Sequence, residues 1–222
     1  MHAIERKAWK GMGMEGWVAH WYNRTRRNDL EQFRIEALAV AKQLRSGGAV
    51  LEVAPGPGFF AIELAKLGSF SITGLDISRT MIEIANENAR SAGVQIDFRV
   101  GNAAQMPFAD ESFDYVYCSA AFKNFAQPVA ALDEMYRVLR SGGQASIGDL
   151  RKDASLADID AFVKQSGRTR LDAWMTTWTF RHMLLKRAYT AADLTEMARQ
   201  SRFGTCEIDS VSIGLAVRLK KC

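Results

Sequence analysis

The chain has few cysteines and no long apolar run. Cys118, Cys206 and Cys222 are widely spaced and odd in number, a pattern that fits neither a disulfide framework nor a zinc site. The apolar runs are too short to cross a membrane, and the N-terminus lacks the apolar core of a secretory signal. We therefore expect a cytoplasmic protein with no membrane span.

The chain also has only a small excess of charge of one sign, since its formal net charge is +4. Residues 24–27 and 218–221 are basic clusters, but no continuous basic stripe with interleaved aromatic residues connects them. The composition therefore carries no strong nucleic-acid signal. With 222 residues, of which 48% are hydrophobic, the chain is long enough to form one domain with a substantial core.

A Gly-rich turn stands out in the stretch VLEVAPGPGFF, residues 50–60. Four strand-forming residues precede it, Gly56 and Gly58 stand two apart, and a stretch of helical periodicity follows. Glycines at such a turn let the backbone approach a ligand closely, and the helix N-terminus adds unpaired N–H groups. This pattern predicts a site for a nucleotide-like cofactor without specifying which one.

Strands and helices alternate through the first two thirds of the chain, which predicts a parallel sheet with helices on both faces. We expect Asn28, Ser78 and Thr190 to be helix N-caps and a helix over residues 127–140 to end at the SGG turn. The five predicted strands cover residues 50–54, 70–76, 94–102, 113–120 and 144–150.

The C-terminal end changes this rhythm. The stretches TCEIDSV and SIGLAVRLKK follow each other almost directly, which is too close for a parallel crossover. They therefore predict an antiparallel hairpin. The expected fold class is α/β: a Rossmann-like doubly wound sheet of seven strands, five parallel strands plus this hairpin.

Two cofactor classes are compatible with the turn itself. Gly56, Gly58 and Ala61 satisfy the dinucleotide pattern G-x-G-x-x-G/A, and Asp76 lies about 20 residues beyond the first glycine. A nicotinamide-dependent oxidoreductase therefore remains an alternative at this point.

The wider pattern resembles the class I S-adenosylmethionine-dependent methyltransferases, in particular their type-11 group, which includes ubiquinone and menaquinone methyltransferases. Glu52, Gly56 and Gly58 match the acid and the last two glycines of that family's first motif, while Ala54 replaces the first glycine. The stretches GNAAQMPFADESFDYV and ALDEMYRVLRSGGQASIGD resemble two further motifs of the family. The resemblance covers roughly residues 36–149 and implies methyl transfer from S-adenosyl-L-methionine, giving S-adenosyl-L-homocysteine.

The resemblance also implies roles for single residues on the cofactor side. Glu52 would lie beside the methionyl ammonium, Asp76 would bind both ribose hydroxyls, and Asn102 would accept from the adenine amino group in place of the usual acid. The full set of cofactor-binding residues implied is Tyr22, Glu52, Ala54, Gly56, Gly58, Asp76, Ile77, Met81, Asn102, Ala103 and Ser119. Packing in the core is the alternative role for Tyr22 and Met81.

The acceptor side is less defined by the resemblance. Phe122 and Asn124 are candidates for the substrate pocket, and Lys123 and Asn124 stand where many type-11 members have two histidines. Lys123 is a weak candidate for a general base, and a solvated surface lysine is the favoured alternative. No metal is required, because a sulfonium donor brings its own reactivity.

We divide the chain into N-terminal helices (1–47), a cofactor-binding core (48–150), a helical insertion (151–189) and a last helix with the hairpin (190–222). The insertion is predicted to be a lid in which Trp174 and Trp178 shape the acceptor pocket. His182 is a second weak base candidate. It shares one predicted helix face with Leu171, Trp174, Met175, Trp178 and Leu185, and core packing or a dimer contact would also explain this apolar face.

We thus expect an enzyme that methylates a small-molecule acceptor and acts as a monomer or homodimer. A nicotinamide-dependent oxidoreductase and a non-catalytic cofactor-binding protein are the two alternatives. The sequence does not identify the acceptor or its methylated atom.

Overall fold

A seven-stranded sheet in the order β3-β2-β1-β4-β5-β7-β6 forms the centre of the protein. The computed structural model describes residues 8–10, 13–165 and 185–222. The strands are β1 (Ala49–Val53), β2 (Ser71–Asp76), β3 (Asp97–Val100), β4 (Phe113–Ser119), β5 (Leu139–Leu150), β6 (Glu207–Val211) and β7 (Gly214–Lys220).

The strand directions confirm the predicted fold class. Every pair among β1 to β5 is parallel, whereas β7 is antiparallel to both β5 and β6. The turn between β6 and β7 holds only Ser212 and Ile213, so these two strands can pair only as a hairpin.

Seven α-helices lie among the described residues: α1 (Gly16–Arg26), α2 (Leu30–Ala41), α3 (Phe59–Ala65), α4 (Arg79–Ser91), α5 (Pro128–Val138), α6 (Leu156–Gln165) and α7 (Ala191–Gln200). The Ser78 hydroxyl accepts the Met81 N–H at 3.0 Å, and Thr190 forms a capping box with Asp193 at the start of α7. Two of the three predicted N-caps, Ser78 and Thr190, are therefore confirmed.

Two local expectations are wrong. Asn28 lies inside a short 3-10 helix, Arg27–Asp29, that continues α1 directly into α2, so it caps neither helix. The helix predicted over 127–140 ends at Val138, and β5 begins at Leu139 and runs through both glycines. The backbone pairing of Leu139 with Phe113 of β4 explains this early start of the strand.

Hydrophobic layers cover both faces of the sheet. Leu51, Val116 and Ile147 pack with α5 and α7 on one face, while Val50, Ile72 and Tyr115 pack with α2, α3 and α4 on the other. Burial of both faces is expected for a parallel sheet that lies between two layers of helices. In the described part of the chain, no helix is both long and apolar enough to cross a membrane.

Candidate functional site

The candidate site lies at the carboxyl ends of three adjacent strands. β1 is flanked by β2 and β4 in the sheet, and these three strands carry Glu52, Asp76 and Ser119 near their ends. In open α/β sheets the change of strand order beside the first strand creates a crevice at this edge. The sequence therefore brings these three predicted residues to a single edge.

The turn after β1 depends on a left-handed backbone. Gly56 has φ +53° and Gly58 has φ +78°, which suit glycine. Ala54 has φ +57° and stands where the related motif carries its first glycine, so this alanine adopts a conformation that costs about 1–2 kcal/mol. Its N–H donates to the Leu75 carbonyl at 2.8 Å, which fixes the turn against β2.

The two glycines face different surroundings. A Cβ on Gly56 would meet only the Tyr22 ring within 4 Å, so the side of the turn at Gly56 is open. A Cβ on Gly58 would lie 2.8 Å from Phe98 Cζ and 3.1 Å from Ala85 Cβ. The missing side chain at Gly58 therefore permits close helix–strand packing, and Gly56 is the position that leaves room for a ligand.

Glu52 is a buried carboxylate beneath the turn. Its Oε2 accepts the Ala61 N–H at 3.2 Å, in the first turn of α3. Burial is the largest cause that raises the pKa of Glu52 to about 8; the carboxylates of Glu36 and Asp76 contribute to this rise, and the Ala61 N–H opposes it. A cation placed beside it would favour the charged form, so Glu52 suits a ligand that carries an ammonium group.

Asp76 connects the turns after β1 and β2. Its Oδ2 accepts the Gly56 N–H at 3.0 Å, and its Oδ1 accepts the Ser78 N–H at 2.9 Å. Burial raises the pKa of this carboxyl despite these two bonds. Each oxygen can accept a further hydrogen bond, so Asp76 can receive two donors from one ligand, as a ribose diol would supply.

Helices α1 and α4 close one side of the turn. Met81 is buried with Ala19 and Ile84, and Tyr22 and Met14 pack against this group. The Glu15 carboxylate accepts the N–H groups of Arg79 and Thr80, both at 3.1 Å, and so caps α4 from the start of α1. Tyr22 thus lies beside Gly56, whereas Met81 is part of the buried contact between α1 and α4. Ligand contacts of Tyr22, Ile77 and Met81 remain predictions.

The segment after β3 is held from α5. Asn102 Oδ1 accepts the Ala104 N–H at 2.9 Å, and Ala103 lies between these two residues. Arg137 donates to the carbonyls of Met106 and Phe108 at 3.0 and 2.8 Å, while also binding Glu134. Asn102 therefore sits in a fixed turn, and its proposed contact with adenine remains a prediction.

The loop after β4 forms the opposite side of the site. Ala120 has φ +57°, and its N–H donates to the Gly148 carbonyl of β5 at 2.7 Å. Phe122 is fully buried and packs on Phe125 and Tyr189, with ring centroids 5.3 and 6.1 Å away. The Phe122 ring therefore supports this loop from within the core.

Lys123 is not the surface lysine that the sequence favoured. It is buried, and its Nζ lies 2.8 Å from Asp149 Oδ1 and 2.5 Å from the Ala120 carbonyl oxygen. Its backbone N–H donates to Asp149 Oδ2 at 2.8 Å. The expectation of solvation was wrong because a carboxylate at the end of β5, 26 residues away, neutralises the ammonium.

A short N-terminal segment crosses the same loop. Lys10 donates its backbone N–H to the Asn124 carbonyl at 2.7 Å, and Ala126 donates to Ala8 at 3.1 Å. Lys10 Nζ also donates to the Tyr189 hydroxyl at 2.6 Å. Sequence periodicity gave no signal for this contact, since it joins residues more than 100 positions apart.

Three candidates from the sequence, Trp174, Trp178 and His182, lie outside the described residues, so the lid and the second base candidate remain predictions. Among the residues that the structure describes, no group of three His, Cys, Asp or Glu side chains is arranged to hold a metal ion.

Comparison with known proteins shows a similarity to methyltransferases. Residues 51–147 match the model of a family described as a methyltransferase domain. The demethylmenaquinone methyltransferase of Deinococcus radiodurans is 38% identical over 120 residues, which cover 54% of this chain and 50% of the relative. Methyltransferase GfsG of Streptomyces halstedii is 31% identical over 126 residues, covering 56% of this chain and 45% of that protein. The chain thus spans about half the length of the curated relatives it matches.

Solved structures extend the likeness to the whole fold. A candidate S-adenosyl-L-methionine-dependent methyltransferase from Methanococcus maripaludis superimposes with a TM-score of 0.76 and 21% identity, covering 99% of this chain and 97% of that one. A SAM-dependent methyltransferase from Aquifex aeolicus gives a TM-score of 0.66 and 16% identity, covering 89% and 96%. At such identities the likeness shows the fold alone.

Proposed function

We propose that this chain, whose residues 51–147 match the model of a methyltransferase domain, transfers a methyl group from S-adenosyl-L-methionine to a small-molecule acceptor. The observation that carries the proposal is the pairing of two buried carboxylates at one sheet edge. Glu52 lies under the Gly56 turn, and Asp76 connects that turn to the start of α4.

The side chains present fit the cofactor chemically. Asp76 can accept a further hydrogen bond on its oxygens, as a ribose diol would require. Glu52 would become a buried negative charge when an ammonium group lies beside it and lowers its pKa. The space beside Gly56 would be narrowed by any Cβ there. A nicotinamide dinucleotide would use the diol contact but has no ammonium group for Glu52.

When bound, the cofactor supplies an electrophilic methyl group on a sulfonium, which becomes a neutral thioether as the acceptor's electron pair forms the new bond. The protein's contribution is to hold the two reactants in line at contact distance. Asp76 and Glu52 would fix one reactant, and the Ser119–Ala120 backbone would border the transfer point. This backbone is bonded to Gly148 and supported by the buried Phe122.

For the acceptor we propose an electron-rich aromatic compound of the quinol type. The support is the similarity to proteins named demethylmenaquinone and ubiquinone/menaquinone biosynthesis methyltransferases. The aromatic rings of Phe122, Phe125 and Tyr189 pack together beneath the loop after β4, which would border the acceptor. Demethylmenaquinol is therefore the first acceptor to test, followed by simple quinols and catechols.

Two experiments test the proposal in sequence. Calorimetry should show binding of S-adenosyl-L-homocysteine and no comparable binding of NAD(H). Transfer of a labelled methyl group from S-adenosyl-L-methionine to one of the acceptors should then be detected. Stabilisation by NAD(H) alone would overturn the assignment in favour of an oxidoreductase. Binding of S-adenosyl-L-homocysteine without transfer to any of a broad acceptor panel would favour a non-catalytic cofactor-binding protein.

A further inference from the structure

Helix α1 exposes two tryptophan side chains. Trp17 is 77% exposed and Trp21 is 57% exposed, more than any other large hydrophobic residue that the structure describes. Residues four apart lie on the same face of a helix, so the two indoles form one patch. Large aromatic side chains left in water usually mark a binding surface when they are grouped.

The opposite face of α1 is already occupied, so these indoles cannot turn inward. Ala19 is fully buried against Met81 and Ile84 of α4. The Gly16 N–H donates to Thr80 Oγ1 at 3.2 Å, and Glu15 caps α4 beside it. The rotation of α1 is therefore fixed, and Trp17 and Trp21 face outward as a consequence.

The charged side chains between residues 16 and 27 are of one sign. Residues 16–27 contain Arg24, Arg26 and Arg27 and no carboxylate, and Arg24 falls on the tryptophan face at 100° per residue. Arg26 is paired with Asp29 at 2.6 Å. Within the described ranges, no carboxylate lies within ion-pair distance of Arg24 or Arg27. Arg27 donates to the Asn88 Oδ1 at 3.4 Å, so Arg24 is the arginine of this stretch best placed to meet an external anion.

We propose that the face of α1 formed by Trp17, Trp21 and Arg24 docks on an anionic lipid surface. Tryptophan prefers the boundary between headgroups and acyl chains, because its ring is apolar while its N–H can reach water. Arginine beside it would contact lipid phosphate. The two indoles match the boundary with the acyl chains, and Arg24 matches the phosphate layer. This proposal does not depend on methyl transfer.

A second copy of the chain fits this face less well. A two-fold contact centred on the patch would bring two copies of the same basic stretch of helix together. No acid between residues 16 and 27 would neutralise their positive charges. The like charges oppose self-association and favour an anionic partner instead.

Docking of this kind would place the candidate site at the lipid surface. Tyr22, on the inner side of α1, lies next to Gly56, and a helix is about 10–12 Å across. The turn at Gly56 would therefore lie roughly one helix diameter from the lipid headgroups. If the proposed function holds, a lipid-dissolved acceptor could reach the site directly from the membrane.

The test is sedimentation of the full chain with phosphatidylcholine vesicles, with and without one quarter phosphatidylglycerol. We expect binding only to the anionic vesicles and weaker binding at high salt. The Trp17→Ser/Trp21→Ser variant should bind at least tenfold more weakly, and Arg24→Glu at least about fivefold more weakly, since each arginine near such a surface contributes about that factor.

Matched controls are Ile35→Ser, which removes a side chain that is 53% exposed on α2, and Arg34→Glu on the same helix. Both should bind vesicles like the wild type.

Affinity for S-adenosyl-L-homocysteine should be unchanged in the tryptophan variant, which shows that the protein is folded. Absence of wild-type binding to anionic vesicles, or equal binding by the tryptophan variant, would overturn the proposal. A concentration-dependent dimer that only the tryptophan variant abolishes would assign the face to a second copy and also overturn it.

Discussion

The ammonium of Lys123 lies 2.8 Å from the carboxylate of Asp149, and the two side chains are only 5% and 6% exposed. This buried pair joins the loop after β4 to the end of β5. The Asp149 carboxylate also accepts the backbone N–H of Lys123, and the ammonium donates to the Ala120 carbonyl. The pair therefore holds the backbone that borders the proposed transfer point.

Removing one partner of this pair should be costly. Lys123→Met would leave the Asp149 charge buried and unpaired, so we expect the free energy of unfolding to fall by about 3–5 kcal/mol. The Lys123→Met/Asp149→Asn variant should recover part of this loss, because it buries no charge. Urea denaturation measures the free energy of unfolding of both variants.

Arg34→Met serves as the exposed control for this pair. Arg34 and Glu31 are 3.8 Å apart with side chains 60% and 75% exposed, and such pairs contribute at most about 1 kcal/mol. If Lys123→Met is no more destabilising than Arg34→Met, the buried pair does not stabilise the fold as argued.

Asp76 should be required for cofactor affinity. Asp76→Ala removes both proposed hydrogen bonds to the ribose and also frees the Gly56 N–H, so we expect S-adenosyl-L-homocysteine to bind more than about tenfold more weakly. Calorimetry measures the change. Asp97→Ala, on the exposed edge strand β3, is the matched control and should bind normally. Unchanged affinity in a folded Asp76→Ala protein would exclude Asp76 from the cofactor site.

Local patterns were sufficient for much of the fold. The Ser78 and Thr190 caps use hydrogen bonds within three residues, and the hairpin follows from the length of its connection. Glu52 and Asp76 could be placed at one sheet edge because each ends a strand in a parallel sheet. These inferences depend only on neighbouring residues or on chain geometry.

Contacts between distant residues could not be predicted in this way. Whether Lys123 is solvated depends on Asp149, and the course of residues 8–10 depends on the loop at Asn124. The start of β5 at Leu139 depends on pairing with Phe113. In each case a partner far along the chain overrides the local preference, and one sequence carries no signal for that partner.

Glu52 should make stability depend on pH. Its pKa is raised from 4.5 to about 8 by burial, so the folded state binds more protons than the unfolded state between these values. The contribution of Glu52 to the free energy of unfolding is therefore largest at or below about pH 4.5, the unfolded value. This contribution falls as the pH rises towards 8. The contribution is at most about 1.4 kcal/mol per pH unit.

The variant that checks this is Glu52→Gln. We expect a flatter dependence of stability on pH between about 5 and 8 in urea denaturation, together with weaker cofactor binding. Glu63→Gln on the nearby helix α3 is the control, because the half-buried Glu63 carboxylate already has a cationic partner, Lys66, at 2.6 Å. An identical pH dependence in wild type and Glu52→Gln would show that Glu52 is ionised in the folded protein throughout this range.

Gly58 and Gly142 allow steric overlap to be separated from backbone strain. Both have φ +78°, but a Cβ on Gly142 would meet nothing within 4 Å, whereas one on Gly58 would lie 2.8 Å from Phe98 Cζ. Each Gly→Ala change should cost about 1–2 kcal/mol for the left-handed conformation. Only Gly58→Ala should add about 1–3 kcal/mol for overpacking against β3. Urea denaturation of the two variants gives the difference directly. Phe98 and Ala85 hold α3 and α4 against the sheet beside the turn at Gly58. An equal loss of unfolding free energy in both variants would therefore mean that this turn is not packed as the structure shows.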